Sequence, residues 1–226
     1  GSSPKGLYAE LVRLHKETGL SFKNVISFNL DEYYPMEPTS INSYVRFMKE
    51  LLFDHVDILP ENAHVPDGLL TKEQIADYCH EYEAKIEALG GIDLQILGIG
   101  GNGHIGFNES GSLQHSKTRL VALDHITRVA ASKDFSGLNN TPRTAITLGV
   151  KKIMEAKQVI LMAWGEGKSN IVKASAEGPV TNQVPASFLQ EHNNAVYVLD
   201  KEAASKLTRI NRPWLVDKIE WTDKLT

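Results

Sequence analysis

Apolar positions along this 226-residue chain follow two alternating rhythms. Short, near-continuous apolar runs of strand length occur in "NVISFNL" (24–30), "IDLQILGI" (92–99), "TRLVAL" (118–123), "TAITL" (144–148), "QVILMAW" (158–164) and "AVYVL" (195–199). Between them, apolar residues recur at helical spacing. Leu7, Leu11 and Leu14 form one stripe, Tyr44, Phe47, Met48 and Leu51 a second, and Ile75, Cys79, Tyr82, Ile86 and Leu89 a third. Ser3 before Pro4 reads as an N-cap followed by proline at the first helical position. Thr71 with Gln74 reads as a capping box and Gly90 as a helix stop. Shorter helices are expected through Met154, from near Lys168, and after Leu199. Strands apolar on both faces and separated by helices predict an α/β fold: an open, mostly parallel twisted sheet with helices on both faces, Rossmann-like and three-layered. Residues 1–210 read as one such domain, and 211–226, "NRPWLVDKIEWTDKLT", as a surface tail or the start of a linker.

This architecture says where to look for chemistry, because open α/β sheets bind ligands beyond the carboxyl ends of their strands. Three such ends carry polar residues: Asp31, the loop from Gly98 to Glu109, and the loop from Gly165 to Lys168. Parallel neighbours would bring all three to one rim. The first loop, "GIGGNGHIGFNESGS", contains the dinucleotide spacing Gly98, Gly100, Gly103, with Asp124 at about the expected 20 residues downstream. That fingerprint requires a helix to open at the glycines, and Gly106, Asn108, Ser110 and Gly111 forbid a long one. Asn102, His104 and Glu109 on an irregular loop are the better signal. A histidine oriented by a carboxylate can exchange protons near neutral pH. Asp31, partly desolvated at a strand end, could act as a base on carbon. "GSSP" and "GEGKSN" each offer backbone amides at a helix start, the second with the charge of Lys168, and Lys133 is a further candidate cation. Together they suit a monophosphate. "GEGK" is too short for a triphosphate loop. Taken singly, each of these residues has an ordinary reading as a cap, turn or solvated surface group.

Composition narrows the partners. A net charge of −4 gives no electrostatic footprint for nucleic acid or for an anionic membrane. No apolar run approaches the roughly 20 residues of a membrane span, and the N-terminus lacks the features of a signal peptide. Cys79 is the lone cysteine, so no intramolecular disulfide can form, which fits a reducing, cytoplasmic setting. Its place on a helix stripe assigns it to the core. The scattered histidines His55, His64, His80, His115, His125 and His192 show no metal-ligand spacing, so no metal is expected.

"FNLDEYYPMEPTSINSYVRFMKELLFDHVDI" and "LGIGGNGHIGFNESGS" closely resemble glucosamine-6-phosphate deaminases, and the likeness runs from "GSSP" to about residue 210. The resemblance implies a cofactor-free isomerase and deaminase of amino sugar metabolism, converting glucosamine 6-phosphate and water to fructose 6-phosphate and ammonia. By position, Asp31 matches the proton carrier between carbon 2 and carbon 1. His104 matches the ring-opening acid/base, with Glu109 and Asn102 as its supports. Gly1, Ser2 and Ser3 fall in the phosphate loop, Gly101 in the substrate loop, and Lys168 at the phosphate lysine. Tyr44 matches a tyrosine over the sugar, and a homo-oligomer is expected.

The chain departs from the family pattern at several points. Ser110 replaces a proline after the loop glutamate, which would loosen that loop. Lys133 stands for an arginine, keeping the charge without the bidentate fork. Val121 replaces a basic residue of allosteric members, arguing against activation by an amino-sugar phosphate. The family's first strand and helix, which precede the phosphate loop, have no counterpart before Gly1, so the sequence reads as part of a longer protein. A 6-phosphogluconolactonase-type hydrolase and a non-catalytic sugar-phosphate-binding domain are the competing readings.

Overall fold

A computed structural model describes residues 2–208. Gly1 and the expected tail 211–226 lie outside the described residues. In chain order the elements are α1 (Lys5–Thr18), β1 (Ser27–Phe28), β2 (Asp31–Tyr34), α2 (Tyr44–Leu51), β3 (Ala63–His64), α3 (Ile75–Ala88) and β4 (Leu94–Leu97). There follow β5 (Arg119–Ala122), α4 (His125–Ala131), β6 (Thr144–Thr147), α5 (Val150–Met154), β7 (Gln158–Ala163), α6 (Ser169–Glu177), β8 (Ala195–Leu199) and α7 (Lys201–Ala204). Short 3-10 turns fill several connections, among them Glu166–Lys168 and Pro185–Glu191.

The strands form a parallel pair β1–β3, a parallel sheet β4–β7–β8, and an antiparallel sheet β2–β6–β5. The antiparallel sheet is not foreshadowed by the apolar runs. It arises where "NVISFNL", expected as one strand, changes partners. The Asn29 amide still donates to the His64 carbonyl at 2.8 Å, while the Leu30 carbonyl accepts from Leu148 at 2.6 Å. Asp31 therefore opens β2 instead of ending a single strand, and faces Thr147 across the ladder.

The parallel sheet β4–β7–β8 buries one face. Leu97, Val159, Leu161 and Ala163 pack with Tyr82 and Ile86 of α3, Ile153 of α5, Val172 of α6 and Ala203 of α7. The alternate residues point the other way, and there Leu94, Val196 and Val198 stay 46, 42 and 40% exposed. In α3 the stripe Ile75, Cys79, Tyr82 and Ile86 is buried, whereas Leu89, the C-cap residue past the last turn, is 48% exposed. Half of the capping box forms, the Thr71 amide donating to Gln74 Oε1 at 2.9 Å. At the amino end, Pro4 is itself the N-cap of α1 and no side chain caps it, so the helix starts one residue later than Ser3-Pro4 predicts. None of the α1 residues is fully buried, so its stripe of Leu7, Leu11 and Leu14 is only half covered.

Candidate active site

The loop after β4 is shaped by glycines at two close approaches. A Cβ on Gly100 would lie 2.2–2.4 Å from Cε1, Nδ1 and Nε2 of His104, so the imidazole rests directly on the Gly100 backbone. A Cβ on Gly106 would lie 3.0 Å from Thr147 Oγ1 and 3.3 Å from Asp31 Oδ2, and Gly106 also has a φ of 57°. Only glycine tolerates both the contact and that backbone angle. The histidine loop thus passes close to the carboxylate that opens β2. The Phe107 amide adds a 3.0 Å bond to Thr147 Oγ1, fixing the loop against β6.

His104, Asn102 and Glu109 form one hydrogen-bonded group. Glu109 Oε2 accepts from the Asn102 amide at 2.7 Å and meets His104 Nδ1 at 3.2 Å, while Asn102 Oδ1 accepts the His104 backbone N–H at 3.2 Å. Glu109 Oε1 accepts from the Asp124 amide at 3.2 Å. Burial works to raise the Glu109 carboxyl, but the His104 ring, Asn102 and Thr127 outweigh it and hold it down at about 2. Glu109 is a fixed anion. With its Nδ1 held there, the imidazole has Nε2 left for chemistry. Ser110, expected to loosen the loop, instead donates its hydroxyl to the Gln183 carbonyl at 2.9 Å.

Asp31 is the opposite case. Burial pushes its carboxyl up to about 6 although the His104 charge pulls it down. Its charge is felt by several tyrosines. Burial, with the Asp31 charge adding to it, pushes Tyr8 up to about 12 and Tyr44 and Tyr82 well above the usual phenol range, so all remain donors at neutral pH. Tyr44 packs its ring 5.5 Å from Tyr33 and 6.4 Å from Phe107, and Phe107 lies 6.4 Å from the His104 ring.

The remaining candidates divide. Lys168, in the turn after β7, donates to the Ile99 carbonyl at 2.6 Å, and burial pulls its ammonium pKa down. Ser3 Oγ would lie 3.3 Å from a Cβ on Gly98, and the Ser3 carbonyl accepts the Trp164 indole N–H at 3.0 Å. Ser3, Gly98, Ile99 and Lys168 are therefore contiguous at the start of the histidine loop. Ser2 is exposed and its carbonyl caps Lys5 at 3.2 Å. Gly101 is exposed with open space around it. Lys133 stands exposed in the turn after α4. Asp124, which fits the dinucleotide spacing, serves as N-cap of α4, its carboxylate accepting from Ile126 at 2.7 Å.

Two neighbours of the site carry no signal in the one-dimensional pattern. The Thr127 hydroxyl, buried on α4, lies 3.2 Å from His104 Nδ1. Glu32 is buried beside Asp31 and accepts from Ser43 Oγ at 2.8 Å and from the amides of Tyr44 at 2.8 Å, Tyr33 at 2.9 Å and Val45 at 3.3 Å. It caps the start of α2 from outside the helix, a role only the Ser43–Tyr44 helix start, read together with β2, could have indicated.

Residues 1–198 match the family described as glucosamine-6-phosphate isomerases/6-phosphogluconolactonase. A putative glucosamine-6-phosphate deaminase-like protein of Bacteroides thetaiotaomicron is 52% identical over 225 residues, all of this chain, which spans about a third (34%) of that relative's length. The glucosamine-6-phosphate deaminase of Halothermothrix orenii is 45% identical over 207 residues, covering 92% of this chain and 85% of its own. Among solved structures, a monomeric glucosamine-6-phosphate deaminase superposes with a TM-score of 0.88 at 37% identity, over 91% of this chain and 85% of that one. The 6-phosphogluconolactonase of Trypanosoma brucei superposes with a TM-score of 0.71 at 22% identity, over 92% and 83%, a likeness of fold. On the profile match and the Halothermothrix relative alike, the chain belongs to the glucosamine-6-phosphate isomerase/6-phosphogluconolactonase family.

Proposed function

We propose that this chain is a glucosamine-6-phosphate deaminase. The observation that carries the reading is that one loop, bearing His104, passes close to Asp31 at Gly106 and to Ser3 and Lys168 at Gly98–Ile99. In this reading Ser2, Ser3 and Lys168 hold the phosphate, with Gly1, Gly101, Tyr44 and Lys133 completing the substrate contacts, and so fix the sugar carbons against Asp31. His104 Nε2 takes the proton from the anomeric hydroxyl and returns it to the ring oxygen, opening the pyranose. Glu109 stabilises the imidazolium formed between those transfers. The carbon 2 proton becomes acidic only in the open aldehyde. Asp31 takes it while the substrate ammonium gives a proton to the aldehyde oxygen, forming an enolamine, and then delivers it to carbon 1, leaving an iminium at carbon 2 that water hydrolyses to the ketone and ammonia. An imidazole and a desolvated carboxylate divide this work, as two proton transfers of different difficulty require.

The test is the release of ammonia and fructose 6-phosphate from glucosamine 6-phosphate. Hydrolysis of 6-phosphogluconolactone with no ammonia would replace this reading by the lactonase, and binding without turnover would replace it by the sugar-phosphate sensor. Homo-oligomeric assembly and a cytoplasmic setting belong to the same reading. Sedimentation tests the first, the aligned structure being that of a monomeric enzyme. The second is supported by the lone Cys79, and no helix among the described residues is long and apolar enough to cross a membrane.

A further inference from the structure

His104 Nδ1 has two partners. Glu109 Oε2 at 3.2 Å belongs to the same loop, but the Thr127 hydroxyl, also at 3.2 Å, arrives from α4. An ionised carboxylate only accepts, so Glu109 supports the ring solely when Nδ1 carries a proton. A hydroxyl both donates and accepts, so Thr127 can follow Nδ1 through either state. Thr127 is buried, and its hydroxyl also bonds Glu109, so it ties the ring to the carboxylate that supports it. The start of α4 is anchored to the same group a second time by the Asp124 amide on Glu109 Oε1, 3.2 Å.

We propose that Thr127 is a positioning residue for the His104 imidazole. It fixes the ring plane together with Gly100 and keeps Nε2 turned to the substrate side, so the proton-transfer geometry depends on α4 as well as on the loop itself. The inference rests on the assignment of His104 as the ring-opening group, although the orientation of the ring can be observed without turnover.

Thr127→Val preserves shape and removes the hydroxyl, and Thr127→Ser restores it. In the valine variant kcat should fall roughly tenfold with KM unchanged, the size expected for one lost hydrogen bond to an ionisable group. In the serine variant kcat should return to within about twofold of the parent. Nitrogen-15 spectra of the histidine rings should show the His104 tautomer balance displaced in valine and recovered in serine. A valine variant with parental kcat, or with an unchanged His104 spectrum, overturns the proposal, as does a serine variant that fails to recover the spectrum. Absence of ammonia release from the parent itself, with the spectral change intact, would remove the deaminase reading and leave the positioning role standing.

Discussion

Gly100→Ala asks whether the imidazole must sit where it does. The added methyl would meet the ring at 2.2–2.4 Å, whereas ordinary contact begins at 3.4 Å, so the ring must retreat by about 1.2 Å. Gly100 has no left-handed backbone angle, so alanine adds no backbone strain and the effect is confined to the contact. A retreat of that size is large against the 3.2 Å bonds from Nδ1 to Glu109 and Thr127 and moves the ring out of its present alignment with them. Misplacing a reacting group by about 1 Å costs on the order of a hundredfold in rate, roughly 2.7 kcal/mol of transition-state stabilisation. The assay is kcat for ammonia release beside thermal unfolding. Gly6→Ala, in α1 with open space around it, is the control and should gain about 0.5–1 kcal/mol of stability with kcat unchanged. A folded Gly100→Ala protein with kcat within threefold of the parent would refute the reasoning.

Asp31→Asn should abolish exchange of the carbon 2 proton with solvent. Because burial raises this carboxyl to about 6, the charged form is disfavoured in the folded state and stability falls as pH rises from about 4 through 6. The asparagine variant should therefore be more stable at pH 7, by at most about 2–3 kcal/mol, with the gain gone below pH 4. Equal stability of the two proteins at pH 7 in urea unfolding would contradict the burial argument. Glu109, held at about 2, contributes in the other sense, its stabilisation being present above the ordinary carboxylate range and lost as pH falls toward 2. Glu109→Gln should lower kcat roughly a hundredfold and flatten stability in that acid range, and a variant within tenfold of the parent kcat would discount its orienting role. Burial pushes Glu32 up to about 7 despite its bonds to Ser43 and the α2 amides, so the parent should gain stability as pH falls from 7 toward 4.5. Glu32→Gln should reduce that slope to the part Asp31 supplies and cost about 1–2 kcal/mol by turning an amide donor toward donors, and a slope equal to the parent's would dismiss the trans cap. Lys168→Ala should raise KM and the inhibition constant of inorganic phosphate together by at least tenfold, and a change in kcat alone would place the lysine elsewhere.

The sheet β4–β7–β8 is legible because its strands "IDLQILGI", "QVILMAW" and "AVYVL" are near-continuous apolar runs and alternate with clear helical stripes. The antiparallel half is not. Its strand β2 continues an apolar run that belongs mostly to another sheet, and no local residue marks the exchange of partners at Asn29–Leu30. The cluster of Asn102, His104 and Glu109 is readable because all three lie on one loop. Thr127 and Glu32 escape notice because their partners are distant in sequence or are backbone amides, which have no letter of their own. Ser3 shows why a cap signal misleads: its hydroxyl faces the Gly98 backbone, and the helix begins on proline without it.

The uneven cover of the β4–β7–β8 sheet has an energetic consequence. Full burial of a valine or leucine contributes roughly 1.5–3 kcal/mol, and Leu94, Val196 and Val198 each leave two-fifths or more of their area in water. Each therefore withholds roughly 1 kcal/mol that a covering layer would release. Whatever settles on that side, from within a larger polypeptide or from outside it, would stiffen the strands that lead to the candidate site without touching its side chains.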